Sequence, residues 1–175
     1  NVLSNIQPSQ MEYHKKYGGV VPSLARLAHN ERIDNVVDES LKRAQTSIDD
    51  IDMFAVTTGP GLAIALEVGI RKAKELALKY KKPLVVVNHM EGHLLSGFAQ
   101  PKRRTRESLD KELLNRLEDS ATYPILGILV SGKHTDLVIS EGIGKYKIVG
   151  HTLDDACGEA FDKAGRMLGF GYPGG

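Results

Sequence analysis

Apolar positions recur at helical spacing from Pro22 onward: Leu24, Leu27 and Ala28, then Ile33, Val36, Val37, Leu41 and Ala44. That rhythm predicts a helix opened by the proline and ending near Thr46. Residues 51–56 are a short apolar run between an acidic turn and Thr57-Thr58-Gly59-Pro60-Gly61, which predicts a buried strand. A second helix follows, with Leu62, Leu66, Ile70, Ala73 and Ala77 as its buried stripe and lysines on the other face up to Tyr80. Pro83 then introduces Leu84-Val85-Val86-Val87, a run without polar alternation, as expected of a parallel strand covered on both faces.

From residue 100 to 123 the pattern turns charged and polar, with Leu109, Leu113, Leu114 and Leu117 allowing at most one short amphipathic helix. This stretch reads as a connection between two lobes. Beyond it, residues 125–130, a Ser131-Gly132 turn, the alternating residues 135–140, a Gly142-Ile143-Gly144 turn and residues 146–149 predict a β-meander. Asp154 is placed to cap a closing helix that runs to about Leu168, with Ala156, Ala160, Phe161, Ala164 and Leu168 on its apolar side. The pattern is mixed α/β and contains no internal repeat. Its division is residues 1–120, most of a first lobe with the charged connection, and residues 121–175, the start of a second.

Composition narrows the class. With 175 residues, 41% hydrophobic and 26% charged, the chain can bury a core and reads as globular and soluble. No apolar run approaches the ~18 residues of a membrane span, and the first residues lack the basic and apolar regions of a secretory signal. Cys157 is the only cysteine, which rules out an internal disulfide and makes a reducing compartment the default; amid Ala156 and Gly158 it reads as a packed small residue rather than a nucleophile. A formal net charge of +1 does not mark a nucleic-acid binder, so RNA contact would rest on a local patch such as Lys102, Arg103, Arg104 and Arg106. There is no initiator Met, and the chain stops at Tyr172-Pro173-Gly174-Gly175, a turn-like loop, so the sequence reads as a fragment.

Candidate chemistry concentrates in Asn88-His89-Met90-Glu91-Gly92-His93, directly after a predicted strand, where ligands of open α/β sheets bind. On a helix His89 and His93 share one face, about 6 Å apart, close enough for one metal ion. The alternative is two capping or solvent-facing histidines. A zinc protease of the H-E-x-x-H type needs its glutamate one residue after the first histidine. Here Glu91 is two residues on and is rotated about 200° from His89. The inverted H-x-x-E-H order fails because Gly92 holds the fourth place. A metallopeptidase is therefore the least favoured reading. Gly59-Pro60-Gly61, at a strand-to-helix corner, could aim a helix N-terminus at an anion, although a structural corner suits it better.

Five stretches, residues 17–29 (YGGVVPSLARLAH), 57–77 (TTGPGLAIALEVGIRKAKELA), 88–96 (NHMEGHLLS), 129–140 (LVSGKHTDLVIS) and 154–175 (DDACGEAFDKAGRMLGFGYPGG), stand in the order and spacing of one family. Together they resemble the TsaD-like tRNA N6-threonylcarbamoyladenosine transferases, formerly called O-sialoglycoprotein endopeptidases. The VVP and YPGG forms are similar to the bacterial and organellar branch. The resemblance implies an actin- and sugar-kinase-like fold of two α/β lobes, present here incompletely. It also implies an acyltransferase that moves the threonylcarbamoyl group from threonylcarbamoyl-adenylate to N6 of the adenosine 3′ to the anticodon, in tRNAs reading codons that begin with A.

The resemblance further implies one divalent metal ion, iron or zinc, on His89 and His93, with a third ligand outside this sequence. It assigns Leu129, Val130, Ser131, Gly132, Lys133, Asp162 and Gly175 to the intermediate, and it implies tRNA and the proteins of a threonylcarbamoyl-transfer complex as partners. A cytoplasmic location follows, or an organellar one in a eukaryote. The isolated fragment is expected to be inactive. One departure stands out: the family has Ser-Gly-Gly-His-Thr where this chain has Ser131-Gly132-Lys133-His134-Thr135. A lysine in a left-handed turn position costs on the order of 1 kcal/mol. Its ammonium is expected to pair with the adenylate phosphate; the alternative is a blocked pocket and a non-enzymatic scaffold protein.

Overall fold

The computed structural model describes residues 2–9, 17, 19–98, 115, 117–170 and 173–174. The charged patch at Lys102, Arg103, Arg104 and Arg106, the leucines at 109, 113 and 114, and Gly175 lie outside the described residues. The chain divides into two compact units, Val2–Gly92 and His93–Gly175. Together they contain parallel and antiparallel sheets with helices, an α/β chain.

In the first unit, helix α1 (Pro22–Ala44) precedes strand β1 (Phe54–Gly59), helix α2 (Ala63–Tyr80) and strand β2 (Leu84–Asn88). The strands pair in parallel, Phe54 opposite Leu84 and Val56 opposite Val86, with α2 as the crossover. β1 starts three residues later than the apolar run suggests. Residues 48–50 instead close a 3-10 turn in which Ser47 and Asp50 cap each other reciprocally. Small residues let α1 and α2 pack closely: Ala25, Ala28, Val68, Ala73 and Ala77 are all buried. Two polar ties join the same helices, Arg71 to the Asn30 side-chain oxygen at 2.7 Å and Lys72 to Asp34 at 2.7 Å. The hydrogen bonds that Lys72 donates to Asp34 and Glu75 raise its pKa.

The expectation that residues 84–87 are covered on both faces does not hold: Val85 and Val86 are exposed. Among the described residues β1 is the one strand paired with β2.

The second unit contains β3 (Ile125–Val130), β4 (Thr135–Gly142) and β5 (Lys145–Gly150), an antiparallel meander in that order. Pairing sets Leu129 opposite Asp136 and Leu126 opposite Ile139. One face is inward, with Leu129 and Val138 buried and Ser140 buried beside them. The Ser140 hydroxyl is satisfied by donating to the Gly142 carbonyl at 3.1 Å. The other face presents Leu126, Ile128 and Val130, which are 60%, 64% and 57% exposed.

Helix α4 (Cys157–Met167) begins later than expected. Its N-cap is Ala156, not Asp154, and no side chain within the segment caps it. The opening N–H groups are taken by the meander instead: Cys157 N–H donates to the Thr135 hydroxyl at 2.9 Å and Gly158 N–H to the Ser131 carbonyl at 3.2 Å. The expected apolar side is also only partly covered. Ala156 is buried, whereas Ala160, Phe161, Ala164 and Leu168 are exposed and the buried helix residue is Gly165.

Candidate functional site

Helix α3 (His89–Ser96) starts where β2 ends. The Asn88 side-chain oxygen accepts from the N–H groups of Met90 at 2.8 Å and Glu91 at 3.3 Å, capping the first turn. This is the residue that sequence reasoning missed at the histidine motif, although an asparagine just before a helix is a signal for an N-cap. Both histidines are on this one helix, His89 half-buried and His93 exposed, so the i, i+4 placement on one face holds. Among the described residues no group of three or more His, Cys, Asp or Glu side chains converges as a metal site. Two imidazoles on one helix are what the described residues place here. Zinc takes three or four protein ligands, so two imidazoles need further donors from elsewhere.

The second group of candidates gathers at the β3–β4 turn. Leu129 is buried as part of the sheet core, and Val130 points to the exposed face. Ser131 organises the turn: its Oγ accepts from Lys133 N–H at 3.3 Å and His134 N–H at 3.0 Å, while its own N–H donates to the His134 carbonyl at 2.8 Å. Of residues 131–134, only Gly132 N–H has no partner among the described residues. The expected strain at Lys133 is corrected: the described non-glycine residues with positive φ are Gln45 and Lys81. The serine hydroxyl closes the turn in ordinary backbone conformations, so a side chain at residue 133 carries no left-handed penalty.

Asp162 is carried by α4, whose first residues seat on this turn. Gly158 packs on Ser131 and Gly132, and Asp162, four residues on, lies one turn further along the same helix face. Its Oδ1 accepts from Gly174 N–H at 2.9 Å, with Gly174 close-packed against the backbone of Phe161 and Asp162. The neighbouring Lys163 is held by Asp155 and Glu159, and the bond to Asp155 raises its pKa. Lys133, by contrast, is exposed and its ammonium has no partner among the described residues. Thr135, within the quoted motif, and Thr152, which was not singled out from sequence, complete the local network. Thr152 Oγ1 accepts from Thr135 N–H at 2.9 Å and donates to the Thr135 carbonyl at 3.3 Å. Their link spans seventeen residues, so no local pattern announces it.

The chain is thus of the α/β class, with a histidine pair on a helix capped directly after a parallel strand and a serine-closed hairpin seated against a helix. The model of the family described as TsaD, tRNA N6-adenosine threonylcarbamoyltransferase, matches residues 1–175. Relatives carrying that description include proteins of Dictyoglomus turgidum, 46% identical over 99% of this chain, and Syntrophotalea carbinolica, 48% identical over 99%. One from Staphylococcus saprophyticus is 45% identical over 100%. The chain belongs to the TsaD family. It spans about half the length of the curated relatives it matches, 47%, 46% and 46% of these three.

Proposed function

We propose that the protein carrying this chain transfers a threonylcarbamoyl group from threonylcarbamoyl-adenylate to N6 of the adenosine 3′ to the anticodon, in tRNAs reading codons that begin with A. The observation that carries this reading is the family match over residues 1–175, supported by relatives at 45–48% identity. In this reading residues 1–120 belong to one lobe and 121–175 open the second lobe of an actin- and sugar-kinase-like fold. Leu129, Val130, Ser131, Gly132, Lys133, Asp162 and Gly175 hold the intermediate, and His89 and His93 hold one divalent ion, iron or zinc, whose Lewis acidity polarises the acyl group when bound.

The chemistry asked of the chain is modest. Adenylate is a good leaving group, so the N6 amine attacks the carbamoyl carbon directly. The new C–N bond replaces the C–O bond to phosphate, AMP departs, and the amine proton is lost. What the protein supplies is alignment. Gly132 N–H and the Lys133 ammonium are the donors that the β3–β4 turn offers an anion, and Asp162, with one oxygen held by Gly174 and the other unbonded among the described residues, suits a ribose hydroxyl. Partner proteins of the transfer complex and a cytoplasmic location belong to the same reading. No described helix is long and apolar enough to cross a membrane. The rival reading, a non-enzymatic scaffold, rested on Lys133; the unstrained turn removes the conformational part of that case.

The test is complementation of a transferase-deficient cell with the full-length gene, followed by mass analysis of digested tRNA. Restored threonylcarbamoyladenosine is expected, with both metal content and modification lost in His89→Ala and His93→Ala. A full-length protein that restores nothing, though it is expressed and has its partners, sinks the enzymatic reading.

A further inference from the structure

The geometry points to Gly158 as a positioning residue of the substrate site, one that lets α4 seat directly on the turn at residues 131–133. The inference rests on the assignment of that turn and Asp162 to the adenylate. A β-carbon on Gly158 would lie 2.7 Å from the Ser131 carbonyl oxygen, 2.8 Å from Gly132 Cα and 3.0 Å from Gly132 N. All three are backbone atoms, so no side-chain rotation makes room. The Ser131 oxygen is also the acceptor for Gly158 N–H, so close approach and hydrogen bond use the same atom.

A second fastening lies beside the first. Thr135 Oγ1 accepts from Cys157 N–H at 2.9 Å, and Thr135 is itself gripped front and back by the Thr152 hydroxyl. The helix start is thus tied to both ends of the hairpin turn. From Gly158 to Asp162 is one helical turn, a rise of about 6 Å along one face. The spacing between the Asp162 carboxylate and the 131–133 backbone is therefore set by how closely α4 approaches the turn. A ligand contacted by both is sensitive to that spacing, because displacement of about 1 Å in a positioning group lowers rates severely. No side chain larger than hydrogen at residue 158 preserves it.

The experiment uses the full-length protein with its partner proteins and follows transfer at varied threonylcarbamoyl-adenylate and varied tRNA. Gly158→Ala is expected to raise the KM for the adenylate about tenfold while the KM for tRNA stays within about twofold. Thr135→Val, which deletes the acceptor for Cys157 N–H, should raise the adenylate KM about threefold, and Thr135→Ser, which keeps it, should restore the parent value. A folded Gly158→Ala protein with the parent adenylate KM, or one in which both KM values rise together, overturns the inference. Where Gly158→Ala does not fold, the Thr135 pair decides: equal adenylate KM values for Val and Ser overturn it. Asp162→Asn separates the two levels. If it leaves adenylate KM unchanged, the site assignment itself fails and the inference with it; a defect in Asp162→Asn beside a normal Gly158→Ala removes the inference alone.

Discussion

At the scale of single residues, Lys133 shows what a motif comparison leaves out. Set against a family glycine, it reads as a costly substitution, because glycine so often marks a left-handed turn. The turn is closed by the Ser131 hydroxyl, and neither Gly132 nor Lys133 has positive φ. What the lysine adds is therefore a charge without backbone strain, on a side chain that is exposed and unpaired among the described residues. Lys133→Gly in the full-length protein is expected to weaken adenylate binding about threefold at low salt, the difference fading above about 0.5 M salt, as befits an exposed ion pair. Titration of the adenylate into both proteins at two ionic strengths measures this. Tighter binding in the glycine variant, or activity appearing in an inert parent, returns the scaffold reading. The Ser131-Gly132 turn was legible in the sequence because Ser and Gly favour turns locally. The Thr135–Thr152 pairing was not, since its partners meet only when β4 and the segment after β5 are folded together.

At the scale of elements, the helical periods were the most legible feature. α1 and α2 start and stop within two residues of the apolar pattern, because three-to-four spacing over many residues outweighs any local signal. The start of α4 was misjudged for a physical reason: its N–H groups find acceptors in the β3–β4 turn, so Asp154 is not needed as a cap. The helix ends offer a sharper test. α1 and α2 both finish in a left-handed residue, Gln45 at φ 55° and Lys81 at φ 52°. In each case the following residue bonds back to the helix, Thr46 N–H to the Leu41 carbonyl at 3.1 Å and Lys82 N–H to that of Ala77 at 3.0 Å. Neither end carries the glycine that such a stop favours. Gln45→Gly and Lys81→Gly should each therefore stabilise the protein by about 0.5–1 kcal/mol. Chemical denaturation of the full-length protein reads this out. Lowered midpoints for both variants would mean that the two side chains contribute more than their strained backbones cost.

At the scale of the whole chain, the apolar pattern and the observed burial disagree in one direction. Leu126, Ile128, Val130 and Leu137 form an exposed row on β3 and β4, Val85 and Val86 are exposed on β2, and Phe161 and Met167 are exposed on α4, as is Leu168 just past its end. A strand such as β3 with large apolar side chains on both faces is written for cover on both, and this chain spans only about half the length of its relatives. An exposed apolar row such as that on β3 drives association. The polypeptide of residues 1–175, prepared alone, is expected to bind a hydrophobic dye, to elute above monomer size, and to transfer no threonylcarbamoyl group to tRNA. The β3 row is the testable cause. Ile128 and Val130 sit opposite Leu137 and Thr135 on the exposed face, so Ile128→Thr with Val130→Thr removes apolar area while keeping β-branched residues in the strand. Those two changes should lower dye binding and shift the polypeptide toward monomer. A parent polypeptide that is already monomeric without binding dye, or one that carries out transfer unaided, would show that the exposed row needs no cover.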